Sequence, residues 1–252
     1  MAWWLLPLAL AIGTLLGLLG GGGAILTVPV LTTLIGQDAH RATTGSLVII
    51  GLASIVGVVP LLRQGRVRVA DGLLFAALGV AGSLIGSRLS ARAPEDLLMA
   101  LFAGLLLAVA TLMALKMRSP APVGAGERGW TVRTLAATAV GLFTGFFGIG
   151  GGFVVVPALT LVVGLSMSQA VGTSLLVIAI NSAVALAGRA AHGLDVDWTV
   201  IGPFAVATVL GTLLGGRLSS HFDQRRLRIG FIAMLVLVGL ATAAQYLPKL
   251  VS

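Results

Sequence analysis

The sequence predicts an all-α polytopic membrane protein built from two inverted repeats, each a glycine-broken (re-entrant) helical hairpin followed by three transmembrane helices. Three observations lead to this fold class. Apolar runs long enough to cross a bilayer recur along the 252-residue chain. One glycine-rich motif occurs twice, and equivalent loops of the two halves carry opposite charge.

Composition places the chain in a membrane. It is 58% hydrophobic and 10% charged, with a mean hydropathy of +1.08, whereas soluble domains carry roughly 25% charged residues. The formal net charge of +8 lies in short loops between apolar runs, where Lys and Arg set the orientation of a membrane protein. We therefore expect the lipid bilayer, and no nucleic acid, as a partner.

The strongest pattern is a repeat with an offset of 128 residues. Residues 13–31 read GTLLGLLGGGGAILTVPVL, and residues 141–159 read GLFTGFFGIGGGFVVVPAL. The same offset aligns residues 42–47 (ATTGSL) with residues 170–175 (AVGTSL). A doubled apolar chain whose halves each contain a glycine-broken segment is typical of secondary transporters.

Each half contains the same four apolar stretches. They cover 2–35, 42–62, 69–90 and 95–117 in the first half, and 132–164, 170–188, 197–218 and 227–247 in the second. The predicted organisation is a first transmembrane repeat (1–118), a cytoplasmic linker (119–129) rich in Pro and Gly, and a second transmembrane repeat (130–252).

Loop charges predict that the repeats are inverted. The loop after the second stretch is basic in the first half, whereas Asp195 and Asp197 outweigh Arg189 in its counterpart. The next pair of loops shows the reverse bias, so equivalent loops lie on opposite sides of the membrane. Inversion requires an odd number of crossings per half, so the first stretch must turn back at its glycines. Eight plain spans with parallel halves are the alternative.

The glycine clusters predict where a substrate binds. Consecutive glycines destabilise a helix by roughly 1 kcal/mol each relative to Ala, which suggests helix ends that point free N–H groups into a cavity and bind an anion. The predicted contacts are Gly20, Gly22 and Gly23 in the first repeat and Gly148, Gly150 and Gly151 in the second. Gly13 and Gly17 have the spacing of close helix packing. No strand precedes the cluster, so it is not a dinucleotide motif.

Polar residues next to the breaks are further candidates. Ser46 and Ser174 are related by the repeat, Thr173 is adjacent, and Asn181 is an amide deep in an apolar run. We expect these four to face the substrate, although hydroxyls here also suit helix capping. Arg88 and Arg217 end equivalent helices, where they either attract anions or extend to the lipid interface.

Missing residue types exclude other chemistry. The chain has no cysteine, which excludes disulfides and thiolate metal sites. Its eight acidic residues fall in loops or at the edges of apolar runs, so we expect no buried carboxylate. We predict no catalytic residue, metal site or cofactor, and a protein that is not an enzyme. Glycine N–H groups and hydroxyls suit an anion better than a cation.

The doubled motif resembles the TauE/SafE family of sulfite and sulfonate exporters. The resemblance rests on the glycines from Gly141 to Gly152, on Pro157 and on the segment 170–175, and it covers essentially the whole chain. The first copy departs from the pattern, with Gly21 where the second has Ile149. The resemblance implies a multi-pass protein of the bacterial inner membrane that moves small sulfur-containing anions, with protons as a candidate coupling ion.

Three functional classes follow from these observations. The first is a secondary transporter for a small sulfur-containing anion, such as sulfite or a C2 organosulfonate, working by alternating access. The second is an anion channel of the same architecture. The third, a membrane enzyme or scaffold subunit, is disfavoured by the absence of cysteine and of any His–acid cluster.

Overall fold

The computed structural model describes residues 5–90, 94–118, 129–147, 152–190 and 196–251, and every regular element in them is helical. The first half contains α1 (Leu5–Leu19), α2 (Gly22–Pro29) with a π-helical continuation (Val30–Leu34), α3 (Ala39–Arg63), α4 (Val69–Ser90) and α5 (Glu95–Arg118). The second contains α6 (Trp130–Phe147), α7 (Gly152–Pro157) with a π-helical continuation (Ala158–Val163), α8 (Met167–Ala190), α9 (Trp198–Ser219) and α10 (Gln224–Val251).

Three helices in each half are long and apolar enough to cross a membrane. They are α3, α4 and α5 and their counterparts α8, α9 and α10, with span lengths of 21 to 24 residues and mean hydropathies of 1.6 to 2.5. At a rise of about 1.5 Å per residue, such spans match a hydrocarbon core of about 30 Å. The predicted stretches agree with the helices to within four residues at each end.

Proline marks the same change of helix type in both halves. The α-helical turns give way to π-helical turns directly after Pro29 and directly after Pro157. Thr32 and Thr160 lie at equivalent positions in these turns, and the hydroxyl of each donates to a carbonyl one turn earlier, at 3.1 and 3.0 Å. The repeat therefore extends beyond sequence to a shared irregularity in the backbone.

Glycines let α1 pack directly on α9. A Cβ atom placed on Gly13 would lie 2.0 Å from Thr208 O, and one on Gly17 would lie 2.1 Å from Thr212 O. These two contacts advance together along both helices, so α1 and α9 run parallel. From α9, Gly211 and Gly215 approach α1 carbonyls equally closely, at 2.2 Å each.

The equivalent glycines join α6 to α4. A Cβ on Gly141 would lie 2.7 Å from Gly79 O, and one on Gly145 would lie 2.0 Å from Ser83 O. This pair is also parallel. The first helix of each half therefore packs on the fourth helix of the other half. The small-residue spacing of Gly13 and Gly17 is confirmed as a packing motif.

Helices that are equivalent by the repeat pack against each other in antiparallel pairs. Along α3 and α8, Thr44 is hydrogen-bonded to Arg189, and Cβ atoms on Gly51 and Gly57 would lie 3.1 Å from Ser182 Cβ and 3.5 Å from Leu175 Cδ1. Residue numbers rise along one helix as they fall along the other. On α5 and α10, a Cβ on Gly239 would lie 3.1 Å from Leu107 Cδ2, and Ala114 and Ile232 line one shared cavity.

Substituting Gly17 with Ala will test the α1–α9 contact. The added methyl group has no space against Thr212 O, so the two helices must separate, and overpacking of this kind costs about 1–3 kcal/mol. We expect a lower Tm in detergent micelles for Gly17→Ala than for the wild-type protein.

Gly104→Ala in α5 is the matched control, because nothing lies within 4 Å of its added Cβ. Removing a helix-interior glycine there favours the helix by up to about 1 kcal/mol. Equal Tm values for the two variants would contradict close glycine packing between α1 and α9.

Candidate functional site

The first glycine break is a tight reversal between α1 and α2. Gly20 has a φ of +75°, a conformation that only glycine adopts readily. The next helix folds back on α1, because a Cβ on Gly23 would lie 2.4 Å from Ile12 O. Gly20, Gly22 and Gly23 are all buried, and a Cβ on Gly22 would lie 2.5 Å from Sδ of the flexible Met234 side chain.

The two halves meet at this break. A Cβ on Gly21 would lie 1.8 Å from Gly152 C, and one on Gly152 would lie 2.9 Å from Gly21 Cα. The backbone of one repeat therefore contacts the backbone of the other at a buried position. The predicted residues Gly148, Gly150 and Gly151 lie outside the described residues.

Sequence comparison of the repeats missed both of these contacting glycines. It selected glycines shared by the two copies, whereas Gly21 aligns with Ile149 and Gly152 aligns with Ala24. Where two copies of a motif face each other, two large side chains cannot occupy the same space. Positions at which only one of the two copies has glycine were therefore the sequence feature that could have indicated a contact between the copies.

Ser174 is the predicted polar residue that lies at the first break. A Cβ on Gly20 would lie 2.4 Å from Ser174 Oγ, so the hydroxyl of the second repeat packs against the glycine of the first. Ser174 is fully buried, and its O–H donates to Val171 O at 2.8 Å. The lone pairs of this oxygen remain to accept, and a rotation of the hydroxyl would let it donate to a bound molecule.

Buried polar atoms also occur near the middle of α3 and α8. Ser46 is buried, at 5% exposure. Ser54 Oγ and Asn181 Oδ1 are buried and have no hydrogen-bond partner. Ser54 is the repeat counterpart of Ser182, which contacts α3. Sequence reasoning selected Asn181 but missed Ser54, although the shared offset of 128 residues relates it to Ser182.

The segment 170–175 docks the loop between α3 and α4. A Cβ on Gly172 would lie 2.5 Å from Arg66 O, and Thr173 Oγ1 accepts a hydrogen bond from Arg68 N at 3.0 Å. Thr173 therefore faces this loop, while Ser174 faces the break. Consecutive residues of a helix point about 100° apart, which explains the division.

In the first copy of this segment, the residue equivalent to Gly172 makes a different contact. Thr44, which aligns with Gly172, accepts a hydrogen bond from Arg189 Nη1, as does Thr43 at 3.1 Å. A threonine suits this end of α3 because it binds a side chain, whereas a glycine suits α8 because a backbone carbonyl approaches. The departure between the two copies thus has a structural cause.

Two ionisable groups outside the spans have pKa values moved by their surroundings. Partial burial lowers the pKa of Arg66, since burial disfavours a charged group. Asp197 precedes α9 and accepts from Thr199 Oγ1 at 2.5 Å and from Thr199 N at 3.1 Å. The hydrogen bond from the Thr199 hydroxyl is the largest cause that lowers the pKa of the Asp197 carboxyl.

The expectation that no carboxylate is buried is wrong for Asp71. It lies in the first turn of α4, at the edge of an apolar run as predicted, but it is only 2% exposed. Its Oδ1 pairs with Arg133 Nη1 at 3.1 Å, and its Oδ2 is 3.5 Å from Arg68 Nε. Packing of α6 on α4 covers the carboxylate, which hydropathy along one helix does not reveal.

Arg88 and Arg217 lie at the last turns of α4 and α9. Both side chains are exposed. This position suits extension to the membrane interface, and attraction of anions by these arginines stays a prediction.

The described groups around the break suit an anion. They are backbone N–H groups at the start of α2 and the Ser174 hydroxyl. Such groups bind anions through hydrogen bonds and helix dipoles. Asn181 instead lies against α4, since a Cβ on Gly79 would lie 3.5 Å from Asn181 Nδ2. Across residues 5–90, 94–118, 129–147, 152–190 and 196–251, no three His, Cys, Asp or Glu side chains lie together as a metal site would require.

Comparison with known proteins indicates a membrane transporter. The model of the family described as "Sulfite exporter TauE/SafE" matches residues 5–242. A "Probable membrane transporter protein" of Xylella fastidiosa is 32% identical over 235 residues, covering 91% of this chain and 89% of the relative. "Probable membrane transporter protein YdhB" of Bacillus subtilis is 28% identical over 233 residues, covering 91% of this chain and 95% of that protein. No solved structure matches.

The match therefore covers both copies of the glycine-rich motif, five of the six helices that are able to cross a membrane, and most of the sixth, α10. The chain is a multi-pass membrane protein that belongs to the TauE/SafE family of membrane transporters.

Proposed function

We propose that this protein is a secondary transporter that moves a small sulfur-containing anion, such as sulfite or a C2 organosulfonate, out of the cell by alternating access. The family description, sulfite exporter, supports the substrate class. The bacterial relatives support a location in the inner membrane. A proton gradient is the candidate driving force, and the protein performs transport rather than catalysis.

The contact between the break and Ser174 is the observation that carries the proposal. Gly20 and Gly21 end one helix and begin another beside a buried hydroxyl of the opposite repeat. Transporters with broken helices bind anionic substrates at the N-termini of half-helices near the membrane midplane. Here the half-helix is α2, and the hydroxyl adds a donor that can orient one oxygen of the anion.

Antiparallel packing supports inverted repeats. If the repeats were parallel in the membrane, the equivalent spans α3 and α8 would cross in the same direction, and so would α5 and α10. Both pairs instead run antiparallel, judged from contacts such as Gly51 with Ser182 and Gly239 with Leu107. Alternating access then follows from movement of one repeat against the other.

The reversal at Gly20 supports a re-entrant first hairpin. The 15 residues of α1 extend about 22 Å, less than the hydrocarbon core of about 30 Å. With three full spans per half, the basic linker and the loops after α3 and α9 share one face, which the excess of Arg and Lys assigns to the cytoplasm.

An anion channel on the same scaffold is the second candidate function. Glycine-lined breaks also suit a pore, but the backbone of Gly21 contacts the backbone of Gly152. A channel requires a continuous path, whereas a carrier opens to one side at a time. This direct contact supports a carrier, because a continuous path between the repeats at this point would separate the two backbones.

Flux measurements in proteoliposomes test the function. We expect saturable uptake of radiolabelled sulfite or of a C2 sulfonate, with an increase when a pH gradient is imposed and with counterflow against unlabelled anion. Flux that does not saturate and shows no counterflow would favour the channel. Absence of flux for every anion tested would remove the proposed substrate class.

Single cysteines test the inversion, because the chain has none of its own. We expect Gln64→Cys, in the loop after α3, to react with a membrane-impermeant maleimide only from the cytoplasmic face. Trp198→Cys, at the start of α9 in the equivalent region of the second half and 61% exposed, should react only from the opposite face. Labelling of both from the same face would contradict inverted repeats and favour eight parallel spans.

Ser174→Ala tests the substrate contact. We expect the KM for the transported anion to rise about five-fold, the effect of one lost hydrogen bond of about 1 kcal/mol, with unchanged protein in the membrane. Ser87→Ala is the control, since the Ser87 hydroxyl also donates to a carbonyl three residues earlier, at 3.1 Å, but is exposed. Equal KM values for the two variants would remove Ser174 from the site.

A further inference from the structure

A half-buried arginine lies beside the first turn of α8, held by neutral groups. Arg66 Nε donates to Ser168 Oγ, its Nη2 to Ser219 Oγ at 3.2 Å, and its Nη1 to Gln64 Oε1 at 3.3 Å. Within the part of the chain that the structure describes, no carboxylate pairs with this guanidinium. Charges removed from water are ordinarily paired, so the protein maintains here a positive charge that an anion would neutralise.

The free edge of the Arg66 guanidinium suits an oxyanion. A guanidinium has five N–H groups in a planar fork, and three of them are used by the contacts with Ser168, Ser219 and Gln64. One N–H remains on each terminal nitrogen, and such a pair binds two oxygens of one oxyanion side by side. Ser219 cannot donate as well, because its O–H is given to Gly216 O at 2.7 Å.

Arg66 is also connected to the glycine break through α8. Its carbonyl packs against Gly172, and the neighbouring Arg68 N–H binds Thr173. Ser174, the residue after Thr173, faces Gly20. From Ser168 to Ser174 the helix rises about 9 Å, so the guanidinium lies at the ends of α8 and α9, about two helical turns along α8 from Ser174.

We propose that Arg66, positioned by Ser168 and Ser219, is an oxyanion-binding site at the cytoplasmic mouth, where the transported anion binds before it reaches the glycine break. The occupant is a small dianion or monoanion with at least two oxygens, of the sulfite class. This proposal rests on the proposed transport function and adds a second binding site to it. A lipid headgroup phosphate shares this chemistry, but the groove beside exposed Arg63 offers lipid an easier contact.

Side-specific transport kinetics test the site. With sulfite presented to the cytoplasmic face of inside-out vesicles, we expect Arg66→Gln to raise the KM about ten-fold. With sulfite presented to the opposite face of right-side-out vesicles, its KM should stay within two-fold of the wild-type value. Arg63→Gln removes the same charge three residues away, at the end of α3, and should leave both values unchanged. Arg66→Lys keeps the charge but loses the fork, so we expect an intermediate KM.

Several results would overturn the proposal. One is an equal KM change for Arg66→Gln and Arg63→Gln, and another is a KM change of the same size from both faces. If Arg66→Gln does not reach the membrane, an unaltered cytoplasmic KM for Arg66→Lys would overturn the proposal. A KM effect of Arg66 variants that occurs only in vesicles containing phosphatidylglycerol would assign the site to lipid and would also overturn it.

Sulfite binding in lipid-free detergent separates this proposal from the function on which it rests. We expect calorimetry to detect sulfite binding to the wild-type protein and a weaker affinity for Arg66→Gln than for Arg63→Gln. Binding through Arg66 without any sulfite flux would refute sulfite transport but retain the site. Flux with equal affinities of the two variants would retain the transport function and refute the site.

Discussion

Backbone contacts at glycine hold the two halves of this protein together. In lipid there is little hydrophobic gain from bringing helices together, so association depends on close van der Waals packing. The contacts of α1 with α9 and of α6 with α4 supply it, because carbonyl oxygens occupy the positions where Cβ atoms of Gly13, Gly17, Gly141 and Gly145 would lie. Each half thereby places its first helix in the other half, and neither half could keep this arrangement by itself.

The same constraint brings the two halves into contact at the first break. Once α1 and α6 are fixed against the opposite halves, the starts of α2 and α7 meet, and only glycine fits where Gly21 meets Gly152. This contact consists of backbone, with the Ser174 hydroxyl beside the neighbouring Gly20. Backbone N–H groups bind an anion without a buried cation, whose desolvation in the membrane would be costly.

The two halves have diverged where their surroundings differ. Gly172 allows a loop carbonyl to approach, whereas Thr44 at the equivalent position binds Arg189. At the end of the helices that includes the loop after α3, Asp71 pairs with Arg133 and Arg66 is held by two serines. At the opposite end Arg189 binds two threonines, so the two ends of the protein differ in chemistry.

The sequence by itself determined the six spanning helices, the position of the first break and the glycine spacing that packs α1, because hydropathy and helix-breaking cost are properties of local sequence. It also selected Ser174. Only the tertiary structure decided which helices pair, that Gly21 and Gly152 meet, that Thr173 serves a loop, and that Asp71 is buried. Those outcomes depend on which surfaces face each other across the repeats, and residues as far apart in sequence as Asp71 and Arg133, or Gly21 and Gly152, leave no local pattern of that contact.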